Sequence, residues 1–412
     1  MKGERIMAQT ISTRTPSGPY TLESADVTHD PYALYDAIRS CSPVYFDPRL
    51  ERWLVTGYDA VASVLSDQRF SSKAAAQLMR PGQYADSPVG RYMARSIIRS
   101  DPPAHTRLRN LVNRAFTPHV VEPLRPRIQS LADGLLDKVQ ASGRMCLRAD
   151  LAFPLPIAVI TALIGADLSM AEQFRNWTAD LNALLTTPTP TPQIVEAANR
   201  SVTERDAYIA SLVAQRRERP ANDLITGLAI AEENGDRLSD EDICAVCGVL
   251  MSAGHETTTN LICNALLALL RHPDQLTLLR EHPELMATAV EEFLRYDSPV
   301  QWNGRLALED VDVAGAPIQR GDVVSIGHGP ANRDPKQFRD PDVLDITRNP
   351  NRHLAFGHGI HFCVGAALAR LEAPIVIQTV LQRMPNLRLA AIDVTWNPGF
   401  LLRSVKALPV LF

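Results

Sequence analysis

Several things are scarce in this chain of 412 residues, and each shortage excludes a class of protein. There is no strong excess of one charge: 42 Lys and Arg stand against 46 Asp and Glu, for a net charge of −4. A nucleic-acid binder would show a basic excess, so no nucleic-acid partner is expected. The six cysteines, Cys41, Cys146, Cys244, Cys247, Cys263 and Cys363, are scattered and form no compact framework. That pattern predicts a reducing, cytoplasmic setting. Between Met1 and Asp26 there is no apolar signal region, and no membrane-length hydrophobic run follows, so neither export nor anchoring is expected. Either Met1 or Met7 serves as a start. No linker, charge block or repeat divides the chain. The expectation is therefore an irregular arm over residues 1–30, with Pro16, Gly18 and Pro19, and one large domain over 31–412.

What is present is mostly helical patterning, with small β elements. Helical spacing runs over 31–40, 58–65, 104–116, 122–139, 154–164, 171–219, 238–272 and 284–296. Strand patterns at Val44–Phe46 and Trp53–Thr56 predict a hairpin. Short alternating stretches at 305–308, 311–313, around Ile318 and at 323–326 predict a small antiparallel sheet, with turns at Gly315 and Gly321. The segment from Ser71 to Arg99, with Pro81-Gly82 and Pro88, reads as a loop with one short helix. The run Thr187-Pro188-Thr189-Pro190-Thr191-Pro192 is too short for a linker and reads as a surface loop between two helices.

The longest pattern, 238–272, has Ser239 as an N-cap with acids behind it. In its middle lies the polar stretch Gly254-His255-Glu256-Thr257-Thr258-Thr259, costly in lipid and unusual in a buried core helix. Such a patch at mid-core needs a functional partner; without one it would be a simple Ser/Thr helix bend.

The most informative stretch is Ala355-Phe356-Gly357-His358-Gly359-Ile360-His361-Phe362-Cys363-Val364-Gly365, followed by a helix over 366–372. Three glycines in nine residues suit an open loop that something flat can approach, not a helix or central strand. Cys363 falls beside a helix N-terminus, where free N–H groups and the dipole favour a thiolate. A thiolate so held is a good ligand for haem iron, whereas a lone cysteine would more often be a small buried hydrophobe. On chemistry alone His358 and His361 compete with it.

Four features converge. The loop fits Phe-x-x-Gly-x-His-x-Cys-x-Gly from Phe356 to Gly365, and Glu292-x-x-Arg295 is present. The long helix carries Ala253-Gly254-His255-Glu256-Thr257, and Asp-Pro-Pro-x-His-x-x-x-Arg runs from Asp101 to Arg109. Together, in this order over nearly the whole chain, they resemble the cytochrome P-450 family of haem-thiolate monooxygenases, in its soluble bacterial, class I form.

The resemblance implies a single large helical domain around a buried haem b. It implies that Cys363 is the axial iron ligand, with Phe356 and Gly357 in the haem loop. His105, Arg109, Arg305 and His361 would contact the propionates; a bare His105/Arg109 pair would otherwise read as a solvated basic face. Thr257 and Glu256 would be catalytic, passing protons to dioxygen. Glu292 and Arg295 would brace the haem loop with a third, basic residue, either Arg348 or His353. Ile98, Val249, Ser252, Ala253, Val300, Gln301, Asn303, Leu401 and Leu402 would line a pocket for a lipophilic small molecule, although each is also an ordinary core residue. The predicted reaction inserts one oxygen atom from O2 by hydroxylation or epoxidation, an activity typical of secondary metabolism. Electrons would come from NAD(P)H through a ferredoxin reductase and a ferredoxin, docked on Arg107, Arg114 and Arg370. His255 and the His328-Gly329-Pro330 segment depart from the commoner residues and are left without a role.

Two other readings stand beside this one. A peroxide-driven haem-thiolate hydroxylase would not need the Glu256/Thr257 pair. A zinc-binding structural protein would use Cys244 and Cys247 with His353 and His358, but no finger-like spacing joins them.

Overall fold

The computed structural model describes residues 18–23, 26–79, 84–187 and 189–412. Of the arm expected over 1–30, residues 1–17 and 24–25 lie outside these, and Asp26–His29 forms one helical turn. Pro81-Gly82 and Pro188 also lie outside the described residues. The fold is mainly helical with small sheets, as the sequence patterns predict. Its contacts group the chain into two compact units, one of residues 1–76, 267–362 and 393–406, the other of residues 77–266, 363–392 and 407–412.

The first unit is built on a five-stranded sheet. Val44–Asp47 and Arg52–Val55 form the expected antiparallel hairpin. Arg52–Val55 then pairs in parallel with Val323–Gly327, which runs antiparallel to Trp302–Ala307. A two-residue edge, Phe70–Ser71, closes the order. Trp53, Val55, Val324 and Ile326 are fully buried in one core cluster of this unit with Val61 and Val64 of the Tyr58–Ser66 helix. The helix Met286–Tyr296 buries Glu292 and Arg295.

The second unit is helical. Asp240–Arg271, nearly all of it in this unit, is the longest helix. Its start is a reciprocal cap: Ser239 Oγ accepts from the Asp242 N–H at 3.1 Å, and the Asp242 carboxylate accepts from the Ser239 N–H at 3.3 Å. The helix after Cys363 runs over Ala366–Arg383, eleven residues past the expected end. It continues through Pro374 because Ile375, Val376, Ile377, Val380 and Leu381 are buried, and it packs on the Arg125–Gln140 helix. That burial outweighs a helix-interior proline costing about 3 kcal/mol. A π-turn over Leu147–Ala152 leads into the helix Pro154–Ile164. This run is long and apolar enough to cross a membrane by composition, yet 61% of it is buried in the protein.

The segment read as a loop from Ser71 to Arg99 contains two helices, Ser72–Met79 and Pro88–Arg95, and a 3-10 turn, Ile97–Arg99. Pro88 starts a helix here: Ser87 Oγ accepts from the Gly90 N–H at 3.1 Å, and proline occupies the first turn.

Candidate functional site

In the first unit, Glu292 and Arg295 are both 0% exposed and form a two-pronged fork, with Nε–Oε2 and Nη2–Oε1 each 2.8 Å. Two buried charges persist only when every lone pair and proton is answered. Arg295 also donates to the carbonyls of Asn332 (2.9 Å), Pro341 (2.7 Å) and Val343 (3.1 Å). Glu292 accepts from the Asp345 N–H (2.9 Å), from Asn351 Nδ2 (3.0 Å) and from Arg348 Nε, 3.2 Å from Oε2. Arg348 is therefore the third, basic member. His353 pairs instead with Glu291, Nε2 to Oε2 at 3.0 Å. Asn351 and the Asp345 amide carry no signal in the sequence.

Downstream of this cluster lies the glycine-rich loop. Gly357 and Gly359 have φ of 76° and 68°, where a side chain is strained. A Cβ on Gly359 would stand 2.7 Å from the Leu65 carbonyl oxygen, so glycine is needed there by a neighbouring helix end. Gly359 thus answers a neighbouring element as well as keeping the loop open. Phe356 is half-buried, its ring 5.9 Å from His353 and 6.3 Å from Phe362. His361 is half-buried in the turn Gly359–His361. Arg305 is 7% exposed on the strand Trp302–Ala307 and donates to the Gly304 carbonyl at 2.9 Å. His328 is fully buried: Nδ1–H donates to the Leu354 carbonyl (2.9 Å), and Nε2 accepts from Asn303 Nδ2 (3.0 Å). Burial, followed by the charge of Arg305, lowers its pKa to about 4.

The second unit holds Cys363, half-buried, two residues before Gly365, which caps the Ala366–Arg383 helix. Burial pushes the thiol pKa up, while the N–H groups of Gly365 and Ala366 and the charges of Arg109 and Arg370 pull it down. The helix N-terminus acts as expected, but burial outweighs it in the free thiol. Arg109 is half-buried on the Ala104–Ala115 helix, one turn from the buried His105.

On the long helix, Thr257 is half-buried and its hydroxyl donates to the Ala253 carbonyl at 2.6 Å. Glu256 is not a free acid: its Oε1 lies 2.8 Å from Arg148 Nη2, with the carboxylate side chain 26% exposed. Arg148 Nη1 also donates to Asn260 Oδ1 at 3.0 Å. The buried polar residues of this stretch are the neighbours His255, Thr258, Thr259 and Asn260, while Glu256 and Thr257 are half-buried. Arg148 was invisible in sequence, a single basic residue 108 positions away.

The remaining pocket residues divide. In the second unit Ile98 is 50% exposed, Ala253 exposed, Ser252 half-buried and Val249 buried. In the first, Leu401 (47%), Leu402 (38%) and Asn303 are exposed, and Val300 is half-buried. Gln301 is 2% exposed, its amide donating to the Ser298 carbonyl and the Tyr32 hydroxyl, and so is engaged in packing. Of the three arginines expected on a docking face, Arg107 is paired with Asp236 (2.6 Å) and Asp242 (3.1 Å) and Arg114 faces Glu233 at 3.9 Å, so part of their charge is already answered. Cys244 and Cys247 are buried within the long helix, the first thiol pushed up to about 12 by desolvation. Among the described residues no group of three or more His, Cys, Asp or Glu is placed to hold a metal ion, which overturns the zinc reading.

A family model described as Cytochrome P450 matches residues 48–385. The biotin biosynthesis cytochrome P450 of Bacillus subtilis (strain 168) is 41% identical over 391 residues, covering 94% of this chain and 98% of that protein. The cytochrome P450 monooxygenase PikC of Streptomyces venezuelae is 41% identical over 394 residues, covering 93% and 92%. Among solved structures, P450BioI in complex with a hexadec-9Z-enoic acid ligated acyl carrier protein aligns with a TM-score of 0.85 at 42% identity, over 93% of this chain and 98% of that one. Likeness of this extent carries fold, oxidoreductase class and haem dependence together, and this chain belongs to the cytochrome P450 family.

Proposed function

We propose that this protein inserts one atom of O2 into a lipophilic small molecule by hydroxylation or epoxidation, using haem b and electrons relayed from NAD(P)H by a ferredoxin reductase and a ferredoxin. Residues 31–412 act as one catalytic domain, preceded by an arm over 1–30, in the cytoplasm. The observation that carries the reading is the setting of Cys363. Its sulfur sits at the start of an 18-residue helix, with two backbone N–H donors and two arginine charges that favour the thiolate. Partial burial limits the access of competing water to the residue. That donor set suits a soft, electron-rich ligand to iron. Haem b fits better than a covalently attached haem, because the Cys-x-x-Cys at Cys244 is followed by Gly248 rather than histidine.

Bound haem supplies the iron at which dioxygen is activated. Cys363 would hold its iron through the thiolate, with Phe356 and Gly357 in the loop that precedes it. His105 and Arg109, and likewise Arg305 and His361, are the groups that would offer charge and hydrogen bonds to the haem propionates. Burial lowers the pKa of Arg109, a cost that an anionic partner would offset. Thr257 presents a hydroxyl, and Glu256, partly exposed and paired with Arg148, is the acid assigned to the proton path. Glu292, Arg295 and Arg348 hold the approach to the loop. Ile98, Ser252 and Ala253, and separately Val300, Asn303, Leu401 and Leu402, are the residues assigned to substrate contact, mainly apolar with a few polar groups. The names of relatives point to acyl and biosynthetic substrates.

A peroxide-driven enzyme is the second reading. The presence of Glu256 next to Thr257 supports the O2 reading, since a peroxide-driven enzyme would not need that acid–alcohol pair. The test is the absorption spectrum of the reduced, carbon monoxide-treated protein, with and without Cys363→Ser. A thiolate-type band in the wild type, lost in the variant with haem still bound, is expected. An unchanged band in the variant refutes the ligand assignment. Turnover with peroxide alone at the rate given by ferredoxin and NADPH would favour the second reading.

A further inference from the structure

Three consecutive residues of the long helix, Gly254, His255 and Glu256, meet one stretch of chain, Arg148–Ile160. A Cβ on Gly254 would stand 2.9 Å from Ile160 Cδ1, so the helices touch closely at this turn. The imidazole of His255, 3% exposed, places Nε2 2.9 Å from the Phe153 carbonyl oxygen. Its ring meets the Phe153 ring edge-on at 4.3 Å. Glu256 is held by Arg148, whose guanidinium lies 5.7 Å from the centre of the same Phe153 ring. Phe153 thus meets both partners of this turn, the His255 ring on one side and the guanidinium that holds Glu256 on the other.

A carbonyl oxygen only accepts, so the proton of His255 sits on Nε2. Burial favours the neutral ring, which fixes one tautomer. Phe153 joins the π-turn Leu147–Ala152 to the helix Pro154–Ile164, and prolines at 154 and 156 remove two backbone donors there. A side-chain donor from another helix is well placed to hold this junction.

We propose that His255 is a positioning residue: its Nε2–H bond to the Phe153 carbonyl fixes the Gly254–Thr257 turn against the π-turn. Arg148 and Glu256 then meet in one geometry, and the Thr257 hydroxyl keeps its place. His255 itself touches neither substrate nor cofactor in this role. The proposal rests on the reading that Glu256 and Thr257 deliver protons.

The test compares His255→Leu, which keeps bulk without a donor, with His255→Gln, whose amide can still donate to the carbonyl. Both are prepared as haem-loaded full-length protein. Amide hydrogen exchange over residues 254–260 should rise about fivefold in the Leu variant, the scale of one lost hydrogen bond, and stay near wild type in the Gln variant. With a surrogate ferredoxin, its reductase, NADPH and myristic acid as probe, the Leu variant should release a larger share of consumed O2 as hydrogen peroxide. Equal exchange in Leu and wild type overturns the proposal, as does equal impairment of Leu and Gln. Should the Leu variant fail to fold, 15N-histidine NMR of the wild type decides: an Nε2–H tautomer supports the proposal and an Nδ1–H tautomer overturns it. If Glu256→Gln and Thr257→Ala leave the peroxide share unchanged, the proton-delivery reading fails. If they raise it and His255→Leu does not, only the positioning role fails.

Discussion

Glu372 is a carboxyl group with almost nothing to answer it. It lies on the Ala366–Arg383 helix, nine residues after Cys363, and is 1% exposed. Its Oε1 has no hydrogen-bond partner among the described residues. Desolvation raises its pKa from 4.5 to about 8, so the folded protein holds it protonated at neutral pH. The sign follows from linkage. A carboxyl whose folded pKa lies above the unfolded one contributes its full stability below pH 4.5 and loses it as pH rises through 8. At about 1.4 kcal/mol per pH unit, folding loses ~3 kcal/mol between pH 5 and pH 7.5 through this one group. Glu372→Gln keeps the shape and a donor but cannot ionise. Urea unfolding of haem-loaded wild type and variant, measured across that range, should show the variant gaining ~3 kcal/mol relative to wild type as pH rises. A difference that stays flat with pH would refute the account and mean that the carboxylate is hydrated or paired in solution.

Removing one side of the buried fork by Glu292→Ala should cost ~3–5 kcal/mol and reduce haem incorporation, read by urea midpoint and haem absorbance. Its mirror, Arg295→Ala, should match it, and a mild effect from either would contradict the contacts described. Gly359→Ala meets both a left-handed φ of 68° and the Leu65 carbonyl, so a loss of about 1–3 kcal/mol is expected in thermal unfolding. The fully buried His328 gives the opposite pH limb to Glu372. Its folded pKa of about 4 lies below the ordinary 6.5, so its stability is complete above pH 6.5 and is lost as pH falls through 4. That amounts to ~3 kcal/mol, and His328→Asn should flatten the acid side of the unfolding profile.

Local signals were legible because their causes lie within a few residues. The Ser239 cap, the Val44–Val55 hairpin and the start of the Pro154–Ile164 helix follow from neighbours in sequence. Ser87-Pro88 was a helix start that looked like a break, since proline ends helices from within and begins them at the first turn. The parallel pairing of Arg52–Val55 with Val323–Gly327 was beyond reach, because nothing local fixes the partner of a strand about 270 residues away. The same distance hid Arg148 from Glu256. Spacing left Arg348 and His353 as equal candidates for Glu292, and only the path of the intervening loop separates them. Cys363, by contrast, stood out because its chemistry and its glycines crowd into one short stretch.

The segment from Pro341 to Asn351 has no helix or strand of its own. It gives two carbonyls, one amide N–H, a guanidinium and a side-chain amide to a single Glu–Arg couple on a helix 45 or more positions earlier. Its order is therefore borrowed. A stretch of main chain that would wander in isolation is moored at five points by two side chains. Thermal loosening of that mooring should release the whole approach to the cysteine loop at once, as a unit, rather than residue by residue.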